Sequence, residues 1–257
     1  MSRAHNAKPR IGVPWRTAAE EKEGRRAKLD FYLQAIAAAG GEPVEISLQS
    51  AGGFSREKAE ELARALDGFV LTGSPADVNP EWYHGARHAE TAPADAQREQ
   101  TDFAILDVAF NESKPVLAIC YGCQSLNVWR GGNLFQHIPA EIPNPLQHSK
   151  PGDYNIFHAV AIEPDSGLAR IAEQAGAASA EATVNTSHHQ SVLRAGRDLR
   201  IVARAPDGVV EALEYTGADN WVLGVQWHPE VMAEDPLAQA LFGELIAACR
   251  AEKSVAT

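Results

Sequence analysis

Three cysteines in 257 residues are too few, and odd in number, for a disulfide framework. That usage fits a reducing compartment, and a cytoplasmic location is expected. Basic residues are outnumbered, 23 Lys and Arg against 34 Asp and Glu, for a formal net charge of −11. Such a chain repels a phosphate backbone, so no nucleic-acid partner is expected. The densest basic patch, Arg25, Arg26 and Lys28, reads as a solvated helix face. No apolar run approaches the ~20 residues of a membrane span. The opening MSRAHNAKPR has no apolar h-region, so neither a signal peptide nor a membrane partner is expected. The nine histidines show no HExxH, and there is no second cysteine pair for a zinc site. Neither a metal nor an organic cofactor is expected. Repeats and low-complexity tracts are lacking as well.

What is present is an ordinary globular composition, 45% apolar and 22% charged. The length suits one large α/β domain with a full core. Residues 1–9 read as a loose tail and 10–257 as a single domain. RIGVPW (10–15) reads as a first strand, and a helix follows from about Arg25 to Ala39. Its apolar residues fall at helical spacing and it stops at Gly40-Gly41. EPVEIS (42–47) is the next strand. Ser55 is an expected N-cap for REKAEELARAL, although Lys58 stands where a capping box needs Glu or Gln. GFVLTGS (68–74) is a short buried strand, and Ala96 to Phe110 a helix after a long polar loop. PVLAIC (115–120) is a near-continuous apolar run of the kind buried on both faces of a parallel sheet. In the second half, FHAVAIE (157–163), LRIVARA (199–205), VVEALEY (209–215) and WVLGVQW (221–227) read as strands that extend the core antiparallel. Asp207-Gly208 is a hairpin signal between two of them. Residues 139–155 read as loop, and a last helix runs from about Pro236 to Arg250.

The stretch LAICYGCQSLNVWRGGNLF (117–135) holds Cys120 and Cys123 at C-x-x-C spacing. Three readings are open. The pair is a redox or metal dithiol, since i and i+3 share a helix face. Or both thiols are core residues, the reading favoured for Cys123. Or Cys120 is a nucleophile at a sharp strand-to-helix turn. There the first N–H groups of the helix and its dipole favour a thiolate, as at a nucleophile elbow. Gly122 is then expected to let the turn close.

A nucleophilic thiol needs a base, and the base an orienting group. WVLGVQWHPEV (221–231) supplies candidates. His228 and Glu230 are two apart, hence on one side of extended chain. Pro229 biases His228 away from helix. For the oxyanion, the Tyr121 N–H lies beside the thiol. The turn after VLTGSP offers a second donor, with Gly73 permitting an unusual backbone and the Ser74 N–H available.

These residues resemble the class I glutamine amidotransferase superfamily, and within it the gamma-glutamyl-gamma-aminobutyrate hydrolase (gamma-glutamyl peptidase) branch. The carrying segments are GSPADVNPEWY (73–83), DAQREQTDFAIL (95–106), PVLAICYGCQSLNVWRGGNLFQ (115–136), VNTSHHQSV (184–192), ARAPDGVVEAL (203–213) and VLGVQWHPE (222–230). The resemblance implies a flavodoxin-like α/β sandwich. It implies a triad of Cys120, His228 and Glu230, with Tyr121 and Ser74 as oxyanion donors. It also implies a gamma-glutamyl pocket lined by Gln124 and by Asn185, Thr186, Ser187 and His188. One departure is that Tyr121 stands where this branch more often has Arg, and its side chain is expected near the entrance. The expected activity is hydrolysis of a small gamma-glutamyl amine in the manner of putrescine breakdown. The alternatives are a glutaminase subunit serving a separate synthase and, from another class, a thiol redox protein. A homo-oligomer is left open.

Overall fold

The computed structural model describes residues 7–49, 55–150, 155–176 and 180–255. The expected tail falls mostly on residues 1–6, which lie outside the described residues, as do 151–154 of the expected loop. Among the described residues the strands are β1 (Arg10–Pro14), β2 (Glu42–Ile46), β3 (Gly68–Leu71), β4 (Val116–Ile119), β5 (Asn133–Phe135), β6 (Phe157–Ile162), β7 (Glu181–Asn185), β8 (Ser191–Arg194), β9 (Leu199–Arg204), β10 (Val210–Tyr215) and β11 (Val222–Val225). The helices are α1 (Ala18–Lys22), α2 (Ala27–Ala38), α3 (Arg56–Arg64), α4 (Ala96–Asn111), α5 (Tyr121–Trp129), α6 (Ile138–Glu141), α7 (Gly167–Gln174) and α8 (Pro236–Val255).

One nine-stranded sheet has the order β2-β1-β3-β4-β11-β10-β9-β6-β7, while β5 and β8 form a separate antiparallel pair. The neighbours from β2 to β11 pair in parallel. The neighbours from β11 to β7 pair antiparallel. This mixed α/β sheet, mostly parallel at its centre and carrying an antiparallel extension, is the architecture expected from the sequence.

The apolar runs of β3 and β4 divide between two layers of core. Val70, Leu117 and Ile119 face Leu29, Ile36, Leu241 and Leu245 of α2 and α8. Phe69, Leu71, Val116 and Ala118 face Ala63, Ile105 and Leu126 of α3, α4 and α5. A strand covered on both faces has no polar side, which is why these segments do not alternate.

Several boundaries differ from the sequence reading. A separate turn of helix, α1, precedes α2; Thr17 caps it by accepting from the Glu20 N–H at 3.0 Å. Gly24 then turns the chain at φ +66°. Ser55 does cap α3, its hydroxyl accepting from the Lys58 N–H. Strands β5, β7 and β8 and helix α7 were not anticipated; the strands are only three to five residues long, too short to set a clear period, whereas α7 buries Leu168, Ala169, Ile171 and Ala172 at helical spacing and was legible. The expected loop from 139 begins inside α6. The last helix runs to Val255, past the expected end at Arg250. Among the described residues no helix is long and apolar enough to cross a membrane.

Candidate active site

Parallel strands β4 and β11 lie side by side, and their C-terminal ends open on the same edge of the sheet. Cys120 follows β4 directly. Its N–H donates to Val225 O at 2.8 Å, and its carbonyl accepts the first α5 hydrogen bond, from Gln124 N at 3.1 Å. Between these anchors the backbone takes φ +53°, ψ −106°. That is a sparsely populated conformation for a residue with a Cβ, costing about 1–3 kcal/mol. It leaves Cys120 at the N-cap of α5 with the helix N-terminus beside its side chain. Gly122 has a different reason from the one expected. It does not relax the turn; a Cβ there would stand 2.4 Å from Leu71 O, so glycine lets α5 press onto β3.

His228 lies just beyond β11. Its Nδ1 meets Glu230 Oε1 at 2.7 Å, and Cys120 lies near enough to the imidazole to act on its charge. Cys120, His228 and Glu230 are all buried, at 6%, 5% and 6% exposure. The carboxylate accepts from Nδ1–H, which leaves Nε2 for the thiol. Burial opposes charge on His228, but Glu230 and Cys120 outweigh it and hold the imidazole well above its ordinary pKa. The backbone of His228 is fixed by Asn185, whose Oδ1 accepts from the His228 N–H at 2.8 Å and whose Nδ2 donates to its carbonyl at 3.0 Å. The His-Pro-Glu geometry is not the extended one inferred from the sequence. Pro229–Val231 form a single 3-10 turn, and that turn folds Glu230 back onto the ring.

The two expected oxyanion donors behave differently from Gly73. Tyr121, Gly122 and Cys123 precede the first i→i−4 bond of α5, so their N–H groups have no helical partner. Ser74 uses its hydroxyl locally, accepting from Ala76 N–H at 3.1 Å. Gly73 is corrected on two points. Its N–H is engaged by Tyr32 Oη at 2.9 Å and is no free donor. Its φ is not positive; glycine is needed there because a Cβ would stand 2.9 Å from His228 Cε1 and 3.0 Å from Tyr32 Oη.

The residues expected to line a gamma-glutamyl pocket are largely turned to the protein's own groups. Gln124 Nε2 donates to Gln190 O and to Gln226 Oε1, both at 3.1 Å. Thr186 Oγ1 donates to His148 O. His188 directs Nδ1 to Gln190 O at 2.9 Å, and burial pushes its pKa down to about 3, so the ring is neutral at physiological pH. Ser187 is half-buried. Tyr121 does not face an entrance: its ring is buried, with the Arg98 guanidinium 4.8 Å from the ring centroid. Cys123 packs against β11, its Sγ 2.8 Å from where a Gly224 Cβ would sit. Burial pushes that thiol up, away from the thiolate, and none of the three cysteines forms a disulfide.

Two residues were missed in the sequence. Tyr32, buried on α2, bridges the Gly73 N–H and the vicinity of Glu230. Arg98 is fully buried; it pairs with Asp102 at 2.7 Å and donates to Trp15 O, Arg16 O and Thr72 O. It thereby ties the ends of β1 and β3, and with them the Gly73–Ser74 turn. The i,i+4 spacing of Arg98 and Asp102 was legible, but their burial was not.

The fold is of the glutamine amidotransferase type. The glutaminase domain of CTPS from Trypanosoma brucei, solved with bound acivicin, superposes with a TM-score of 0.63 at 17% identity, covering 94% of each chain. The Peptidase C26 family model matches residues 9–230, and the chain belongs to that family. Gamma-glutamyl-gamma-aminobutyrate hydrolase PuuD of Escherichia coli (strain K12) is 34% identical over 226 residues, 85% of each chain. The glutamine amidotransferase-like protein RP404 of Rickettsia prowazekii (strain Madrid E) is 30% identical over 257 aligned positions, 85% of this chain and 88% of that one. The protein is therefore a class I glutamine amidotransferase-like hydrolase.

Proposed function

We propose that this protein cleaves the gamma-glutamyl amide bond of a small gamma-glutamyl amine, of the gamma-glutamyl-gamma-aminobutyrate kind, through a glutamyl thioester on Cys120. The observation that carries the reading is the line from Cys120 through His228 to Glu230, with the 2.7 Å Nδ1 to Oε1 contact at its far end. The Cys120 sulfur attacks the amide carbon, and the carbonyl electron pair moves to oxygen. The Tyr121 and Ser74 N–H groups stabilise that oxyanion, each donor of this kind being worth about 3 kcal/mol in related chemistry. His228 gives its proton to the departing amine as the C–N bond breaks. It then takes a proton from water, whose oxygen attacks the thioester and releases glutamate and the thiolate. Glu230 holds the ring and its Nδ1 proton throughout. Asn185 has a positioning part, through the His228 backbone. A role in putrescine breakdown follows the substrate and stands or falls with it.

Similarity to an amidotransferase-like relative supports a second reading, a glutaminase that passes ammonia to a separate synthase. Glutamate release by the purified chain, measured on gamma-glutamyl-gamma-aminobutyrate and on glutamine, separates the two. Cleavage of the first compound, abolished in Cys120→Ala, is the expected result. Weak turnover of glutamine alone would favour the second reading, and undiminished turnover by Cys120→Ala would exclude both.

A further inference from the structure

Four side chains far apart in sequence converge beside the candidate active site. They are His148 in the loop before β6, His158 on β6, His188 in the loop after β7, and Glu211 on β10. Their ligand atoms all lie within 4.8 Å of one another. His148 Nδ1, His158 Nε2 and His188 Nε2 each stand 3.5 Å from the same atom, Glu211 Oε1. The four side chains are between 0% and 7% exposed. Yet, among the described residues, none of the three nitrogens and neither oxygen of Glu211 makes a hydrogen bond.

The far nitrogen of each ring fixes its tautomer. His148 Nε2 faces Asp207 Oδ2 at 2.9 Å. His158 Nδ1 faces Ala159 O at 3.0 Å and His188 Nδ1 faces Gln190 O at 2.9 Å. Carbonyl and carboxylate oxygens only accept, so these nitrogens carry the N–H. In the neutral rings the inward nitrogens are then bare. Three imidazole lone pairs and a carboxylate oxygen point into one buried space, an arrangement that repels itself unless a proton or a metal cation joins it. An imidazole that ligates a metal characteristically donates its other N–H to a carboxylate or backbone carbonyl, and all three rings do so.

We propose that His148, His158, His188 and Glu211 form a binding site for a divalent transition metal, Zn2+ in particular. Three nitrogens and one oxygen suit a borderline cation rather than Ca2+ or Mg2+, which take oxygen shells. Neighbouring ligands of tetrahedral Zn2+ at about 2.1 Å stand roughly 3.4 Å apart, close to the three 3.5 Å separations. Glu211 and Asp207 together carry two negative charges, which balance the dication. Four protein ligands close the shell, so the site is structural in kind.

The site would hold the segment that reaches the candidate active site. His148 O accepts from both the His188 N–H and Thr186 Oγ1, at 2.8 and 2.9 Å. Asn185, next in the chain, grips the His228 backbone, and Gln190 O accepts from Gln124. A metal binding these four side chains would therefore brace the His228 end of the line without touching the reacting atoms.

The test uses the full-length protein, stripped by chelator and titrated with Zn2+ alone, with metal content and melting temperature as readouts. One Zn2+ per chain and a raised melting temperature are expected. Co2+ in its place should give the intense visible bands of a four-coordinate ion. Glu211→Gln and His158→Ala should lose stoichiometric binding and the thermal shift. Asp207→Asn, which leaves all four ligands, should weaken binding about 10- to 100-fold. Cys120→Ala should keep its Zn2+; loss of binding in that variant would assign the metal to the thiol and overturn the proposal. So would wild-type protein that takes up no stoichiometric Zn2+ or Co2+, a result that needs no variant to fold.

Discussion

Replacing Gly73 with alanine adds one methyl group against the ring of His228. The new Cβ would lie 2.9 Å from His228 Cε1 and 3.0 Å from Tyr32 Oη, with Cys120 Cβ at 3.5 Å on the third side. Ordinary contacts for such atoms begin near 3.4 Å, so ring and phenol must give way by about 0.5 Å, the whole positional tolerance of a reacting group. His228 cannot retreat freely, because Glu230 holds Nδ1 and Asn185 holds its backbone. The displacement falls on the contact with Cys120, and a kcat loss of about 10- to 100-fold is expected. Stability should fall by no more than about 1–3 kcal/mol, the range of overpacking, because φ at this position is not positive. Glutamate release from the gamma-glutamyl substrate gives kcat, and urea unfolding gives the stability. Gly243→Ala on α8 is the control. Its Cβ meets nothing within 4 Å, so activity should hold and stability should rise by about 0.5–1 kcal/mol. A folded Gly73→Ala protein with wild-type kcat would show that the His228 ring is not where the chemistry needs it to stay.

Glu230→Gln removes the larger of the two charges that raise His228, and burial then drives the imidazole to its neutral form. Turnover at neutral pH should drop by about 10⁴, the effect of the equivalent change in a serine hydrolase triad. Because the wild-type pKa is raised, its stabilising contribution is fully present below the ordinary value of about 6.5 and is lost as pH rises through the folded value. The stability gap between wild type and variant should therefore be widest in mild acid and narrow in alkali, as read by denaturation across pH; a gap that widens in alkali would refute the assignment. Cys123→Ser should leave turnover nearly intact while losing about 1–3 kcal/mol for a buried hydroxyl without a partner; a collapse in kcat at unchanged stability would revive the dithiol. Arg98→Met strands Asp102 in the core and frees three carbonyls, for an expected loss of about 3–5 kcal/mol in urea unfolding. A loss under about 0.5 kcal/mol, the level of ordinary surface changes, would contradict the hub described for Arg98.

The sequence by itself determined the elements whose burial is total. GFVL and VLAI are apolar without interruption because helices cover both faces of the sheet, and that pattern is visible in one dimension. It also marked Cys120, which ends one such run where a helix must begin, and His228 with Glu230, which end another. Tertiary structure decided how these come together. Strand order puts β11 beside β4, and a 3-10 turn, not extended chain, sets the carboxylate on the ring. Local spacing misled at Gly73 and Gly122, because neither glycine answers to its own turn. Each is required by an atom from elsewhere in the chain, His228 in one case and Leu71 in the other. The same limit hid Tyr32, the burial of Arg98 and the histidine cluster. Residues 148, 158, 188 and 211 share no motif and lie on separate elements, and only the packing of two loops against β6 and β10 turns four unrelated side chains into one set of ligands.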